Sequence, residues 1–233
     1  MVRSMRIAVR PFGVLGTRMT LSGTVKKVAP GPAPGLPILD PAGLPFIQSQ
    51  GPRGAGGASG QIYRFLGIDS DDEFPAPVRA AIQAPLQAKL HYHGLNGCIH
   101  VVGPDFANGP SRSREQALAE LTRAYGSVLR EFATARLGGL RMLPISGGIF
   151  AGPFAPELPS LTRAALRGAF DGLPARAQQI VSVARLDMCI FLESEHAAYE
   201  EAFEPETQLA QQFEDSLDKG STPVQPWQTG RGG

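Results

Sequence analysis

Cysteine is nearly missing from this chain of 233 residues: only Cys98 and Cys189 occur, each inside an apolar, strand-like run (NGCIHVV and LDMCIFL). That excludes a disulfide scaffold, and the two read as reduced core thiols, which points to an intracellular compartment. No apolar stretch approaches the roughly 18 residues needed to cross a bilayer, so no membrane partner is expected. Net charge is missing too, since 22 Lys and Arg against 21 Asp and Glu leave +1. A general electrostatic pull toward nucleic acid or a lipid surface is thereby excluded, and partners must be argued from particular sites. Acids are absent before Asp40, while Arg3, Arg6, Arg10, Arg18, Lys26 and Lys27 all precede it. Two readings of this start stand side by side. One is a mitochondrial transit segment, and the other is a first strand, MRIAVRPF, with Ile7 and Val9 on one face. The expected location is therefore the cytoplasm or, on the first reading, the mitochondrial matrix.

What the chain does have is glycine, 28 residues of it, together with 21 prolines. These sort into stretches with different meanings. Residues 28–45 (VAPGPAPGLPILDPAGLP) read as an irregular loop or linker, because proline removes backbone donors from a central strand. The N-terminal segment 1–45 is thus set apart from a domain spanning 46–204. Past Pro205 little remains to bury, and 205–233, which includes Trp227, reads as a disordered tail.

Within 46–204 the pattern alternates as in an α/β protein. Phe46-Ile-Gln-Ser-Gln50 reads as a short buried strand, followed by a glycine-rich stretch from Gly51 to Gly60 and a helix around Ile62, Tyr63, Phe65 and Leu66. Val78 to Ala84 is weakly helical. Ala88–Gly94 and Cys98–Val102 read as a hairpin across Leu95-Asn96-Gly97. Ser113 opens a long helix with a capping box to Gln116 and a stripe of Leu118, Leu121, Val128, Leu129 and Phe132, ended by Gly138-Gly139. Leu140 to Ile145 is a strand suited to burial on both faces. It runs into Ser146-Gly147-Gly148 and Gly152, and a helix follows from about Pro159. Ile180–Val183 and Met188–Phe191 read as one or two strands, and Ser194 as the cap of a last helix bearing Ala197, Tyr199 and Phe203. A glycine turn between strand and helix is where α/β proteins bind phosphate, because free N–H groups converge there and the helix dipole favours negative charge. The alternative is an ordinary tight turn. Neither glycine stretch spells GxGxxG in a βαβ context, and GxxxxGK[ST] does not occur, so a Rossmann site and a P-loop are unsupported.

Four of these pieces, in order, resemble the macro domains, which bind ADP-ribose. Ile99-His-Val-Val-Gly-Pro104 is similar to their I-H-x-V-G-P strand, and Ser146-Gly-Gly-Ile-Phe-Ala-Gly-Pro153 to their second phosphate loop. Gly56-Gly-Ala-Ser-Gly-Gln-Ile-Tyr-Arg-Phe-Leu-Gly67 resembles the first loop and its helix, G-G-V-D-G-A-I-H-x-A-A-G. Leu186 to Phe203 fits the closing strand and helix. The resemblance implies a three-layer α/β/α sandwich around a central mixed, mostly parallel six-stranded sheet, with ADP-ribose in a crevice at the strand ends.

Carried over by position, the backbone of Gly147, Gly148, Ile149, Phe150 and Ala151, beginning at Ser146, would cradle the diphosphate opposite Gly56 and Gly57, with Phe150 near the distal ribose. The family's first loop follows N-A-A-N. The corresponding region is taken as Phe46 to Gln50, where Gln48 or Gln50 would replace the ribose-facing asparagine. Ser59 stands where hydrolase members carry an aspartate, so the usual catalytic positions are unmatched. The nearest approach to the family's early G-D-[IV] is Ser22-Gly-Thr-Val25. The implied ligand is ADP-ribose or an ADP-ribosylated protein, and a weak ADP-ribosyl or O-acetyl-ADP-ribose hydrolase activity is a further expectation. The other class is a macro-like scaffold that has lost the nucleotide and contacts RNA or protein through its basic N-terminus and acidic C-terminus. No cofactor and no metal are expected: His91 and His93 share a strand face, but no third ligand accompanies them in spacing. His100 reads as a strand histidine with a local structural partner. Ser146 is outside any G-x-S-x-G elbow.

Overall fold

The structure is a computed structural model that describes residues 4–108 and 110–220. Its centre is a six-stranded sheet built from β1 (Ile7–Arg10), β4 (Ile38–Ala42), β5 (Ala88–His93), β6 (Asn96–Val102), β7 (Gly139–Met142) and β8 (Arg185–Cys189), in the order β1-β8-β7-β4-β6-β5. Every neighbouring pair is parallel except β5–β6, a hairpin. A separate ribbon pairs β2 (Thr17–Met19) with β3 (Val25–Lys27).

Alternation along the strands divides the core into two layers, since successive side chains leave opposite faces of a sheet. Leu39, Ile99, Val101, Leu140, Met142, Leu186 and Met188 pack with α3 (Arg114–Thr134), α4 (Leu158–Asp171), α5 (Ala175–Val183) and α6 (Glu193–Ala202). Ile38, Ala42, Cys98, Val102 and Cys189 pack on the other side with α1 (Gly57–Leu66) and α2 (Ala76–Ala81). The result is the expected α/β/α sandwich. The long helix α3 starts where expected: Ser113 accepts from Gln116 N–H while the Gln116 side chain accepts from Ser113 N–H. Its Leu121, Val128, Leu129 and Phe132 are fully buried, each contributing roughly 1.5–3 kcal/mol of transfer free energy. Cys98 and Cys189 are both free thiols buried in strands.

Several expectations fail for identifiable reasons. Strand β4 lies inside 28–45, the stretch read as a linker, so the sheet does not begin at residue 46. Pro41 is tolerated because β4 meets β7 at Ile38 alone, and past that residue one edge of the strand has no ladder to complete. Phe46–Gln50 is a single π-helical turn rather than a strand. The start of the chain is sheet, with β1 pairing along its whole length with β8. Ile180–Val183 is the end of helix α5, entered after Pro174, and its β-branched run turns only Val181 fully inward. Ser194 does not cap α6; the N-cap is Leu192.

The tail expectation is corrected as well. Residues Glu204–Gly220 form helix α7, which lies against the free edge of β1. Glu206 accepts from Arg163 Nε at 2.8 Å, Thr207 donates to Ile7 O, and the Arg6 guanidinium stacks on the Phe213 ring. A sparse apolar face suffices because it has an edge strand to cover. Trp227 lies outside the described residues.

Helix α3 is not ended by Gly138-Gly139. The left-handed residue is Arg136, with φ of 52°, held by Leu137 N–H donating to Phe132 O. An exposed non-glycine residue in that conformation is strained. Arg136→Gly is therefore expected to raise unfolding stability by about 1 kcal/mol, read as a higher urea midpoint at unchanged m-value.

Candidate functional site

Strands β4, β6 and β7 end on the same side of the sheet, and β4 and β7 part after Ile38. A crevice opens where the strands diverge, the place where open α/β sheets bind ligands. It forms a cavity of about 620 Å³, walled by Ala42, Gly43, Phe46 and Gln50 after β4, by Val102, Gly103, Asp105 and Arg112 after β6, and by Ser146 and Phe150 after β7.

The loop after β7 is held from three directions. Ile145 N–H donates to the Tyr125 hydroxyl of α3 at 2.9 Å, Ser146 Oγ donates to Pro104 O, and Phe106 N–H donates to Phe150 O at 2.9 Å. Burial pushes the Tyr125 hydroxyl up to about 12, so it stays protonated across the ordinary pH range. The turn is tight enough that Ser146 and Gly148 both take φ of 60°. Gly103 permits its approach, because a Cβ there would stand 2.5 Å from Ile145 Cγ2.

Of the expected site residues, Gln50, Ser146 and Phe150 wall the cavity. Gly147, Gly148 and Ile149 form the outer side of the same turn, where Ile149 is 82% exposed, and Ala151 is buried beneath it. Gly56 and Gly57 are exposed at the N-terminus of α1. Gln48 is not in the crevice: its amide donates to the carbonyl oxygens of Arg79 and Ile82, tying the π-turn to α2. The end of β4, Asp40-Pro41-Ala42-Gly43, precedes the Phe46–Gln50 turn, and Pro41, Ala42 and Gly43 wall the cavity together with Gln50. Proline hid this strand, and the only signal for it was the apolar pair Ile38-Leu39. Ser22–Val25 lies in and beside the exposed β2–β3 turn, remote from the cavity lining.

Asp40 is the residue the sequence reading missed. Its carboxylate has no solvent exposure. Oδ1 accepts from Ser59 Oγ at 2.7 Å and Oδ2 lies 2.9 Å from His100 Nδ1. His100 Nε2 is in turn 3.1 Å from His93 Nε2, and the His93 ring packs edge-to-face on His91. The local partner expected for His100 is thus Asp40. Cys98 Sγ is 3.8 Å from His100 Nδ1, and burial, then the Asp40 charge, pushes its thiol well up. The Ser59 hydroxyl spends its proton on a carboxylate, so it is not poised as a nucleophile beside a free imidazole.

Burial, followed by the neighbouring His100 and His91, lowers His93 to about 4, with Asp40 opposing. In the unfolded chain the imidazole titrates near 6.5. The unfolded state therefore binds the extra proton first, and His93 costs the fold stability as pH falls from about 6.5 toward 4, the cost being absent above that window. The urea midpoint of the metal-free protein is expected to drop between pH 7 and pH 5, and to drop less in His93→Gln.

No family model matches the sequence, and no curated protein matches it. Solved structures do. A mutant of the Oceanobacillus iheyensis macrodomain is similar at 14% identity and a TM-score of 0.53, covering 90% of this chain and 100% of that one. Another mutant of it, with ADPR, is 15% identical with a TM-score of 0.50, covering 75% and 87%. The Trypanosoma brucei macrodomain in complex with ADP is 16% identical with a TM-score of 0.52, covering 84% and 68%. The chain spans only 26% of an alphavirus P23pro-zbd chain that it also matches. This chain has the macrodomain fold, in a divergent form. Among the described residues no helix is long and apolar enough to cross a membrane.

Proposed function

We propose that the chain binds ADP-ribose or a related NAD-derived nucleotide, free or attached to a protein, in the crevice at the carboxyl ends of β4, β6 and β7. The observation that carries this reading is the turn after β7. Its Ser146 and Gly148 take left-handed backbone, and a short 3₁₀ helix, Gly148–Phe150, starts with no side-chain cap and no acid in its first turn. The amides that open a helix have no partner within it. Helix α1 opposite starts on Gly56 and Gly57, also without a side-chain cap or an acid in its first turn. Two uncapped amide clusters suit a diphosphate and need no basic surface, which agrees with the near-neutral chain. The ADP and ADPR carried by the similar macrodomains support the same ligand class.

Ester hydrolysis in this crevice would draw on a water held by the ligand's own diphosphate, because Ser59 is a donor to Asp40 rather than a base. Part of the basic N-terminal segment is engaged within the fold, which weighs against the scaffold reading: Arg10 pairs with Asp187, Arg18 with Glu193, and Arg6 stacks on Phe213, while Lys26 and Lys27 are exposed.

Calorimetric titration with ADP-ribose, using AMP and NAD for comparison, is expected to show selective binding. Gly148→Glu sets a carboxylate where the diphosphate would lie and is expected to weaken affinity by about tenfold or more, ~1.4 kcal/mol. Unchanged affinity in a folded variant would place the ligand elsewhere.

A further inference from the structure

Asp40, Cys98 and His100 come from two adjacent strands and face the same layer. Asp40 stands beside His100 in the β4–β6 register, and Cys98 lies two residues before His100 on β6. All three are fully buried, and one ligand atom from each lies within 4.8 Å of the others. His100 Nδ1 is 2.9 Å from Asp40 Oδ2 and 3.8 Å from Cys98 Sγ. Donors bound to a tetrahedral zinc at ~2.0–2.3 Å stand roughly 3–4 Å from one another, which both His100 distances match.

The donor chemistry narrows the ion. A thiolate, an imidazole and a carboxylate together favour zinc over magnesium or calcium, which take oxygen ligands. Charge agrees with this choice. A dication against one carboxylate and one thiolate is neutral, and a neutral unit is what a solvent-free position tolerates. The outer contacts fit too: with Nδ1 on a metal, His100 Nε2 carries the proton and donates to His93 Nε2, 3.1 Å away, fixing tautomer and ring orientation. The fully buried Tyr63 hydroxyl lies against Asp40 and Ser59 in the same layer.

We propose that Asp40, Cys98 and His100 form a buried zinc site that pins β4 to β6 beneath α1 and α2, with His93 as the hydrogen-bond partner of the ligating imidazole. Loading forms the zinc–sulfur bond and releases the Cys98 proton to solvent, so the site fills as the chain folds. None of Asp40, Cys98 and His100 lines the nucleotide crevice.

The test uses the full chain without a histidine tag, unfolded in urea with chelator and refolded with equimolar zinc or cobalt. Expected are one zinc per chain by elemental analysis, a higher melting temperature than the metal-free protein, and, with cobalt, a thiolate-to-metal charge-transfer band in the near ultraviolet. Cys98→Ser removes the band and Cys189→Ser keeps it, with folding followed by circular dichroism. No retained metal in the refolded wild-type chain overturns the site, whatever the variants do. Cobalt bound without the band, or equally in Cys98→Ser, also overturns it and puts the ion on the surface pair His91 and His93.

Discussion

The carboxylate of Asp40 sits in the middle of a sheet with no solvent exposure, and much of the molecule is arranged to make that tolerable. A buried charge must be paired and fully hydrogen-bonded or it destabilises the fold by several kcal/mol. One oxygen is met by His100 on the adjacent strand, the other by Ser59 in the first turn of α1. The second contact fixes where α1 begins, and with it where Gly56 and Gly57 stand. Aromatic groups of the same layer then close over the imidazole, Phe74 meeting it edge-on at 5.2 Å between centroids. The geometry of the first glycine loop follows from one acid two residues before the end of a strand.

A second buried acid does similar work on β8, two strands from β4. Asp187 on β8 is met by Arg10 Nε of β1 at 2.9 Å and by Arg185 at 3.3 Å. Arg141, in register with Asp187 on β7, turns its guanidinium to the carbonyl oxygens of Val14 and Pro30. These contacts draw the segment after β1 against the sheet, and α7 covers the edge that β1 would otherwise expose. Arg10, one of the basic residues of that acid-free start, is part of this anchor.

The sandwich, the long capped helix and the second loop were legible in the sequence because each rests on local rules: a 3.6-residue stripe, a Ser-x-x-Gln box, glycine after a buried strand. What was hidden depended on distant partners. Strand β4 carries Pro41, which its own sequence cannot excuse; only the early separation of β7 does. Ile180 to Val183 has the composition of a strand and the position of a helix end, decided by packing on α3. Gln48 has the chemistry to replace an asparagine, but its amide is already committed to α2. Asp40 was overlooked because the partners that give it meaning, His100 and Ser59, are separated from it by 60 and 19 residues.

The parting of β4 from β7 has a consequence for how this surface can change over time. Where two parallel strands separate, each loses its ladder partner on the facing edge, and the turn above the fork is held by Tyr125 and by a carbonyl oxygen. Main chain is common to every amino acid. A crevice whose outline is drawn in it can outlast the replacement of most of the letters around it, keeping the same shape while the chemistry of its rim is rewritten.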